Sequence, residues 1–218
     1  MTKKLHPWKG HEQAIENFRL ITEFCRKDPR IDVLTVWCFS TENWKRDPKE
    51  IAELFRMLEN YLSKERKGFI EQKTHFLHSG CRDRLPQALS KLLEDVEQET
   101  AHQSAFTLHL AVDYGGKDEI LRAVKKGCHG ELCRTMSSFD GAQDDTVDPI
   151  HPYLDHPELP DIDLIIRTSG EYRTSNFFLW QSTYAEWIFY EKFFPDFAVN
   201  DLMAALDTYA ERKRRYGS

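Results

Sequence analysis

"LTVWCFSTENWKRDP", residues 34–48, changes character half-way along. It opens as a β-branched and aromatic run. From Ser40 to Arg46 it becomes a close succession of hydroxyl, carboxylate, amide, indole, ammonium and guanidinium groups. The run that feeds it, "IDVLTVWCF" at 31–39, is nearly all apolar and suits a strand buried on both faces. Asp47-Pro48-Lys49-Glu50 then reads as a helix start: Asp47 caps, Pro48 takes the first helical position and Glu50 completes a box-like pattern. A strand-to-helix turn needs only a capping group and sometimes a glycine. Because Asp47 already caps, Ser40–Arg46 call for another explanation. A solvated loop is one reading, but Trp44 weighs against it, since loops seldom carry an indole without burying or stacking it.

Working outward, residues 12–27 predict a helix with Ala14, Ile15, Phe18, Ile21, Phe24 and Cys25 on one face, stopped by Pro29. Ile51, Leu54, Phe55, Leu58, Tyr61 and Leu62 give the helix after Asp47 a continuous apolar stripe. Further strands are expected at 74–80, 106–116, 162–170 and 185–194, and further helices at 85–100, from about Lys117, and from about Val199 to Arg215. Residues 134–161 read mostly as loop. Strands alternating with helices predict an α/β fold with a mainly parallel sheet flanked by helices. In such sheets ligands bind beyond the carboxyl ends of the strands. Two polar clusters fall there, Ser40–Arg46 and Arg167–Ser175.

The chain has 218 residues, 40% apolar and 30% charged, as expected of a globular protein. Lys+Arg 30 against Asp+Glu 36 leaves a net charge of −6, which excludes a general nucleic-acid binder, because counterion release needs a basic field. An anionic ligand would have to be held by a local arginine cluster. Cys25, Cys38, Cys81, Cys128 and Cys133 are odd in number and lack CxxC spacing, against both a disulfide framework and a zinc ribbon. No apolar run reaches the ~18 residues of a membrane span, and "MTKKLHPWKG" lacks the apolar region of a signal peptide. A cytoplasmic location is expected.

Arg167 ends the expected strand "IDLII", and Arg173 and Ser175 follow within eight residues. Guanidinium groups bind phosphate bidentately and a hydroxyl adds a donor. Two arginines at one strand end suit a pyrophosphate; equally, they could pair at the surface with Glu171 or Glu186. Glu186 stands in an aromatic run, where a carboxylate needs a partner. That partner is either a cation or an arginine. A carboxylate beside arginines fits a site that takes Mg²⁺ together with phosphate. "DYGGKDEI" at 113–120 offers a tight turn or a close approach to phosphate, but no Walker or dinucleotide fingerprint.

These blocks resemble the cis-prenyltransferase family, the undecaprenyl diphosphate synthase type of isoprenyl transferase. In order they are "GHEQA" (10–14), "CFSTENWKR" (38–46), "DYGGKDEI" (113–120), "DIDLIIRTSGEYRTSNFFLWQSTYAEWIF" (161–189), "FFPDF" (193–197) and the tail "ERKRRYG" (211–217). The resemblance implies a single isoprenyl transferase domain over 1–218. It implies condensation of isopentenyl diphosphate with an allylic diphosphate such as farnesyl diphosphate, each new double bond being cis, with Mg²⁺ aiding departure of the allylic diphosphate. By similarity Arg167, Arg173, Thr174 and Ser175 hold the isopentenyl diphosphate group, Glu186 binds Mg²⁺, and His11 lies near the phosphates. Asn43 assists proton removal, Trp44 contacts substrate, and Ser40, Thr41, Glu42 and Arg46 build the surrounding loop. The stripe of the 48–66 helix either lines a channel for the growing chain or is ordinary core. A homodimer is implied, and a lipid product implies transient membrane contact.

The sequence departs from the family in three places. The family opens with a strand and an Asp-Gly-Asn-x-x-Arg-Trp motif, whereas this sequence begins "MTKKLHPWKGH". The expectation is therefore an N-terminally truncated chain whose sheet lacks its first strand, and which is largely inactive by itself. Pro7 stands where the family often has an arginine, and Asp113 where it commonly has asparagine. A missing strand would leave backbone groups unpaired, at ~1–3 kcal/mol each if buried. The competing readings are a non-catalytic prenyltransferase-like subunit and, remotely, an α/β phosphohydrolase, for which there is no nucleophile elbow.

Overall fold

The computed structural model describes residues 7–128 and 148–212, with side chains over 13–127 and 148–212. In chain order the elements are α1 (Pro7–Lys27), β1 (Val33–Ser40), α2 (Pro48–Glu71), β2 (Thr74–Ser79), α3 (Gln87–Thr100), β3 (Phe106–Tyr114), α4 (Gly116–Cys128), β4 (Leu164–Arg167), β5 (Glu186–Phe189) and α5 (Val199–Glu211). A 3-10 turn, Thr41–Lys45, joins β1 to α2. The caps follow the sequence. Asp47 accepts the Lys49 backbone N–H at 2.7 Å with Pro48 beside it. Glu50 instead takes Arg46, at 3.0 Å.

Among the described residues every strand pairing is parallel, in keeping with the alternation, but the strands form two sheets. One has the order β1-β3-β2 and the other is β4-β5. β3 is the central strand of its sheet and is buried along nearly its whole length. β1 was expected to be buried on both faces, yet its first six residues are only half-buried. The reason is topological: one edge of β1 pairs with β3 and the other has no strand partner among the described residues.

The main core lies where α1, α2, α3 and α5 cover the three-stranded sheet. Phe18, Ile21, Tyr61, Leu62, Phe69, Phe76, Leu89, Leu93, Leu108 and Leu202 meet there. Each such side chain contributes ~1.5–3 kcal/mol by leaving water. A smaller cluster on the other face joins Ala111, Tyr114 and Phe178, with the Tyr114 and Phe178 rings stacked at 4.3 Å between centroids. That second cluster pins the segment after β4 against the end of β3, which decides where the site forms.

Candidate active site

The turn after β1 and the loop after β4 meet. Glu42 accepts the Asn176 side-chain N–H at 3.0 Å and the Thr41 hydroxyl at 3.1 Å. Asn176 also accepts the backbone N–H of Lys117 through its side chain and that of Gly116 through its carbonyl, both at 2.7 Å. One asparagine thus ties the β1 turn, the start of α4 and the β4 loop together. Burial pushes the Glu42 carboxyl up, but donors from its own backbone, Asn176, Thr41 and Ser40 outweigh that and hold it below its usual range. The glycines of "DYGG" serve this junction. A Cβ on Gly115 would sit 2.7 Å from both the Asn176 amide nitrogen and the Thr41 hydroxyl. Here the close approach comes from protein.

Within the turn, Asn43 accepts the Ser40 backbone N–H at 2.9 Å. Trp44 packs edge-on against Phe39 and Phe55, at 5.2 and 5.6 Å between centroids. Its indole N–H donates to Asp113 at 2.7 Å. Asp113, the residue that departs from the family pattern, also accepts two bonds of 2.8 Å from Arg84, whose guanidinium lies 5.9 Å from the Trp44 ring centre. Sequence reasoning missed Arg84 altogether, because nothing in its local sequence marks it. It also passed over Asn176, although "SNF" was in view.

After β4 the backbone takes left-handed values at five positions, Ser169, Gly170, Ser175, Asn176 and Phe178. Four of these are not glycine, and such a cluster costs energy that packing must repay. Arg167 donates to the Arg173 carbonyl at 2.6 Å, so the two arginines are held together. Burial lowers the Arg167 guanidinium from its usual value, and the Arg173 charge pushes the same way against the pull of Glu171. The Arg167 Nε is buried without a hydrogen-bond partner. Arg173 pairs with Glu171, the surface pairing that the spacing also allowed, and its side chain is largely exposed. Thr174 lines the cavity described below, and Ser175 is half-buried beside it in the loop. Arg46 points to the surface and pairs with Glu50. His11 lies outside the described side chains.

The expected convergence of Glu186 with Arg167 and Arg173 is corrected. In the β4–β5 register Glu186 lies opposite Leu164, while Arg167 lies opposite Phe189, so they occupy opposite ends of that sheet. Glu186 accepts from Arg212 at 2.5 Å, the arginine alternative of the two partners its sequence context allowed.

A cavity of about 920 Å³ opens beside Arg167. Arg167, Thr168, Ser169 and Thr174 stand at one end. Phe18 and Ile21 of α1 and Leu54, Phe55, Leu58 and Tyr61 of α2 form an apolar wall. His109 and Ser79, 2.8 Å apart, together with Glu119 and His156, supply a buried polar wall. The α2 stripe therefore does both things the sequence left open: Ile51 and Leu62 pack in the core, while Leu54 and Leu58 face the cavity. A guanidinium beside a largely apolar cavity can hold an amphiphile by its anionic head.

The prenyltransferase family model described as undecaprenyl diphosphate synthase matches residues 1–217. An isoprenyl transferase of Treponema pallidum is 41% identical over 209 residues, covering 95% of this chain and 88% of that protein. One of Wolinella succinogenes is 37% identical, covering 96% and 86%. Among solved structures, lavandulyl diphosphate synthase from Lavandula x intermedia, in complex with dimethylallyl diphosphate, superposes with a TM-score of 0.84 at 31% identity over 96% of this chain and 89% of that one. A probable undecaprenyl diphosphate synthase from Campylobacter jejuni gives 0.79 at 29% identity over 95% and 93%. The chain belongs to the undecaprenyl diphosphate synthase family of isoprenyl transferases, the cis-prenyltransferases.

Proposed function

We propose that this protein elongates an allylic diphosphate, such as farnesyl diphosphate, with isopentenyl diphosphate to give a cis-polyprenyl diphosphate. The observation that carries the reading is Arg167, which lines the cavity, with Arg173 tied to it from the exposed loop. Two guanidinium groups share one loop, one of them with a buried, unpartnered N–H, and a diphosphate would relieve their repulsion. Arg167, Arg173, Thr174 and Ser175 then hold the isopentenyl head, and the α1–α2 wall takes the growing tail. The homoallylic carbon attacks C1 of the allylic partner as its C–O bond breaks, pyrophosphate leaves with the electron pair, and a proton is lost from the isopentenyl unit. Asn43, whose side-chain oxygen is fixed by the Ser40 N–H, assists that proton loss. Trp44 works from behind, holding Phe39 and Phe55 at the apolar wall.

The reading includes Mg²⁺ by resemblance. The described residues do not by themselves fit a magnesium site: no three His, Cys, Asp or Glu side chains converge among them, and Glu186 is taken up by Arg212. We read the chain as one domain acting in the cytoplasm as a homodimer, with transient membrane contact for product release. Exposed Tyr172, Tyr184 and Phe193 support an apolar contact surface beside β5. No described helix is long and apolar enough to cross a membrane.

The test is incubation with farnesyl diphosphate, labelled isopentenyl diphosphate and Mg²⁺, using this chain and a version extended with the family's Asp-Gly-Asn segment. A cis-polyprenyl product from either supports the reading; none from both favours a non-catalytic subunit.

A further inference from the structure

The segments that follow β1 and β2 both attach to the end of β3, at Asp113. Its carboxylate is wholly buried and takes three donors, the Trp44 indole N–H at 2.7 Å and two Arg84 nitrogens at 2.8 Å each. Burying a carboxylate is costly unless partners of this kind surround it. Arg84 comes from the loop between β2 and α3, and that loop is seated on the same strand end. The Cys81 N–H donates to the Asp113 carbonyl at 3.1 Å. Gly80, at φ 129°, lies so close to the Val112 carbonyl that any Cβ there would overlap it. Leu85, the residue after Arg84, is buried in the main core. The guanidinium is thus fixed from both sides in sequence, and its planar fork meets both carboxylate oxygens.

The turn Thr41–Lys45 also attaches to this carboxylate. Trp44 belongs to it and directly follows Asn43. A 3-10 turn has three residues per turn, so successive side chains point about 120° apart and turn together about one axis. Packing against Phe39 and Phe55 confines the Trp44 ring, but its N–H bond to Asp113 is what carries a direction. Asn43 has one side-chain tether of its own, the Ser40 N–H at 2.9 Å. The Trp44–Asp113 bond is a second restraint on the same turn, and Arg84 holds its acceptor in place.

We infer that Arg84 is a positioning residue for the reaction. Through Asp113 and Trp44 it sets the rotation of the Thr41–Lys45 turn, and so the aim of the Asn43 amide. The inference rests on the prenyl transfer proposed above, in which Asn43 assists proton loss. It makes Arg84 and Asp113 a matched pair. The guanidinium is needed because residue 113 is a carboxylate, and with asparagine there Trp44 would keep its acceptor and Arg84 would become dispensable.

The parent for the test is whichever form of the protein, with or without the Asp-Gly-Asn segment, makes product. It is compared with Arg84→Gln and with Arg84→Gln combined with Asp113→Asn, each checked for folding by circular dichroism. The substrates are farnesyl diphosphate and isopentenyl diphosphate, the latter unlabelled or deuterated at C2, the carbon that loses the proton. Arg84→Gln should lower kcat at least about tenfold while the KM for isopentenyl diphosphate stays within about twofold. Deuteration should slow Arg84→Gln by a larger factor than it slows the parent. The double variant should return to within about threefold of the parent kcat. A merely structural role would reduce the folded fraction and leave the isotope effect where it was. Should Arg84→Gln fail to fold, Arg84→Lys keeps the charge without the fork and should show the same fall in kcat and rise in isotope effect, more weakly. An unchanged kcat, an isotope effect no larger than the parent's, or a double variant as slow as the single overturns the inference alone. No product from either form of the parent overturns the proposed reaction, and this inference with it.

Discussion

The Trp44 indole N–H and the Asp113 carboxylate are 2.7 Å apart, and Arg84 grips that carboxylate through two further bonds. Asp113, next to last in β3, is left-handed with its side chain fully buried, while Arg84 is about half exposed. The three residues lock the turn after β1 to the central strand. Removing Arg84 alone leaves a buried carboxylate with one donor, and breaking such a pair costs about 3 kcal/mol. Arg84→Ala should therefore lower stability in urea unfolding by about that amount. Asp113→Asn together with Arg84→Ala should return to within about 1 kcal/mol of the parent, because the charge is gone and Trp44 keeps its acceptor. An Arg84→Ala protein as stable as the parent would show that the cluster does not hold the turn.

Asn176 donates to Glu42, and Gly115 leaves the room for it to do so. Asn176→Asp sets two carboxylates against each other and should loosen the β4 loop. We expect isopentenyl diphosphate to bind at least about tenfold more weakly by calorimetry at pH 7.5. The deficit should shrink as the pH falls, because a proton taken up by one carboxyl of the pair removes the repulsion. Gly115→Ala should weaken binding without that recovery, since its Cβ would clash at 2.7 Å at any pH. Equal affinity in both variants and the parent would remove the junction from the binding site.

Much of this was legible from local pattern. The Asp47 cap, the apolar stripe of α2 and the parallel strands follow from spacing that neighbours enforce within a few residues. The meeting of the two polar clusters followed from the rule that loops at the carboxyl ends of parallel strands share one rim. Arg84 was not legible, because its partner is 29 residues away and nothing near it signals a buried carboxylate. The place of Glu186 was misjudged for a geometrical reason. It begins its strand whereas Arg167 ends the neighbouring one, and parallel pairing puts such residues at opposite ends of the sheet.

If Arg167 binds an anion as proposed, the free protein holds that guanidinium at some cost. Its guanidinium is disfavoured by burial and by Arg173. Arg167→Met keeps the volume and removes the charge, so without ligand it should be as stable as the parent or about 1 kcal/mol more stable. With pyrophosphate at about a hundred times its dissociation constant, the parent should gain about 2.7 kcal/mol. The Met variant should lose most of that gain, as should Arg173→Met. Thermal melts with and without pyrophosphate decide the matter: a large loss of stability in ligand-free Arg167→Met would make the arginine structural.

The buried histidines make the fold sensitive to mild acid. His78 is pushed down to about 4, chiefly by burial and despite its hydrogen bond to the Val112 carbonyl. Burial also pushes His109 well below its usual value, with the His156 and His78 charges adding to the effect. Both are neutral in the folded protein, whereas in the unfolded chain each takes up a proton near its ordinary value of about 6.5. Between those limits the unfolded state binds more protons, so stability is full above about pH 7 and falls as the pH drops. From pH 7.5 to 5.5 each histidine should cost about 1.4 kcal/mol, a range in which carboxylates contribute little. His78→Gln can still donate to Val112 and cannot titrate, so it should roughly halve the slope. Urea unfolding of both proteins at the two pH values measures it, and identical slopes would mean that His78 is not held neutral by its burial.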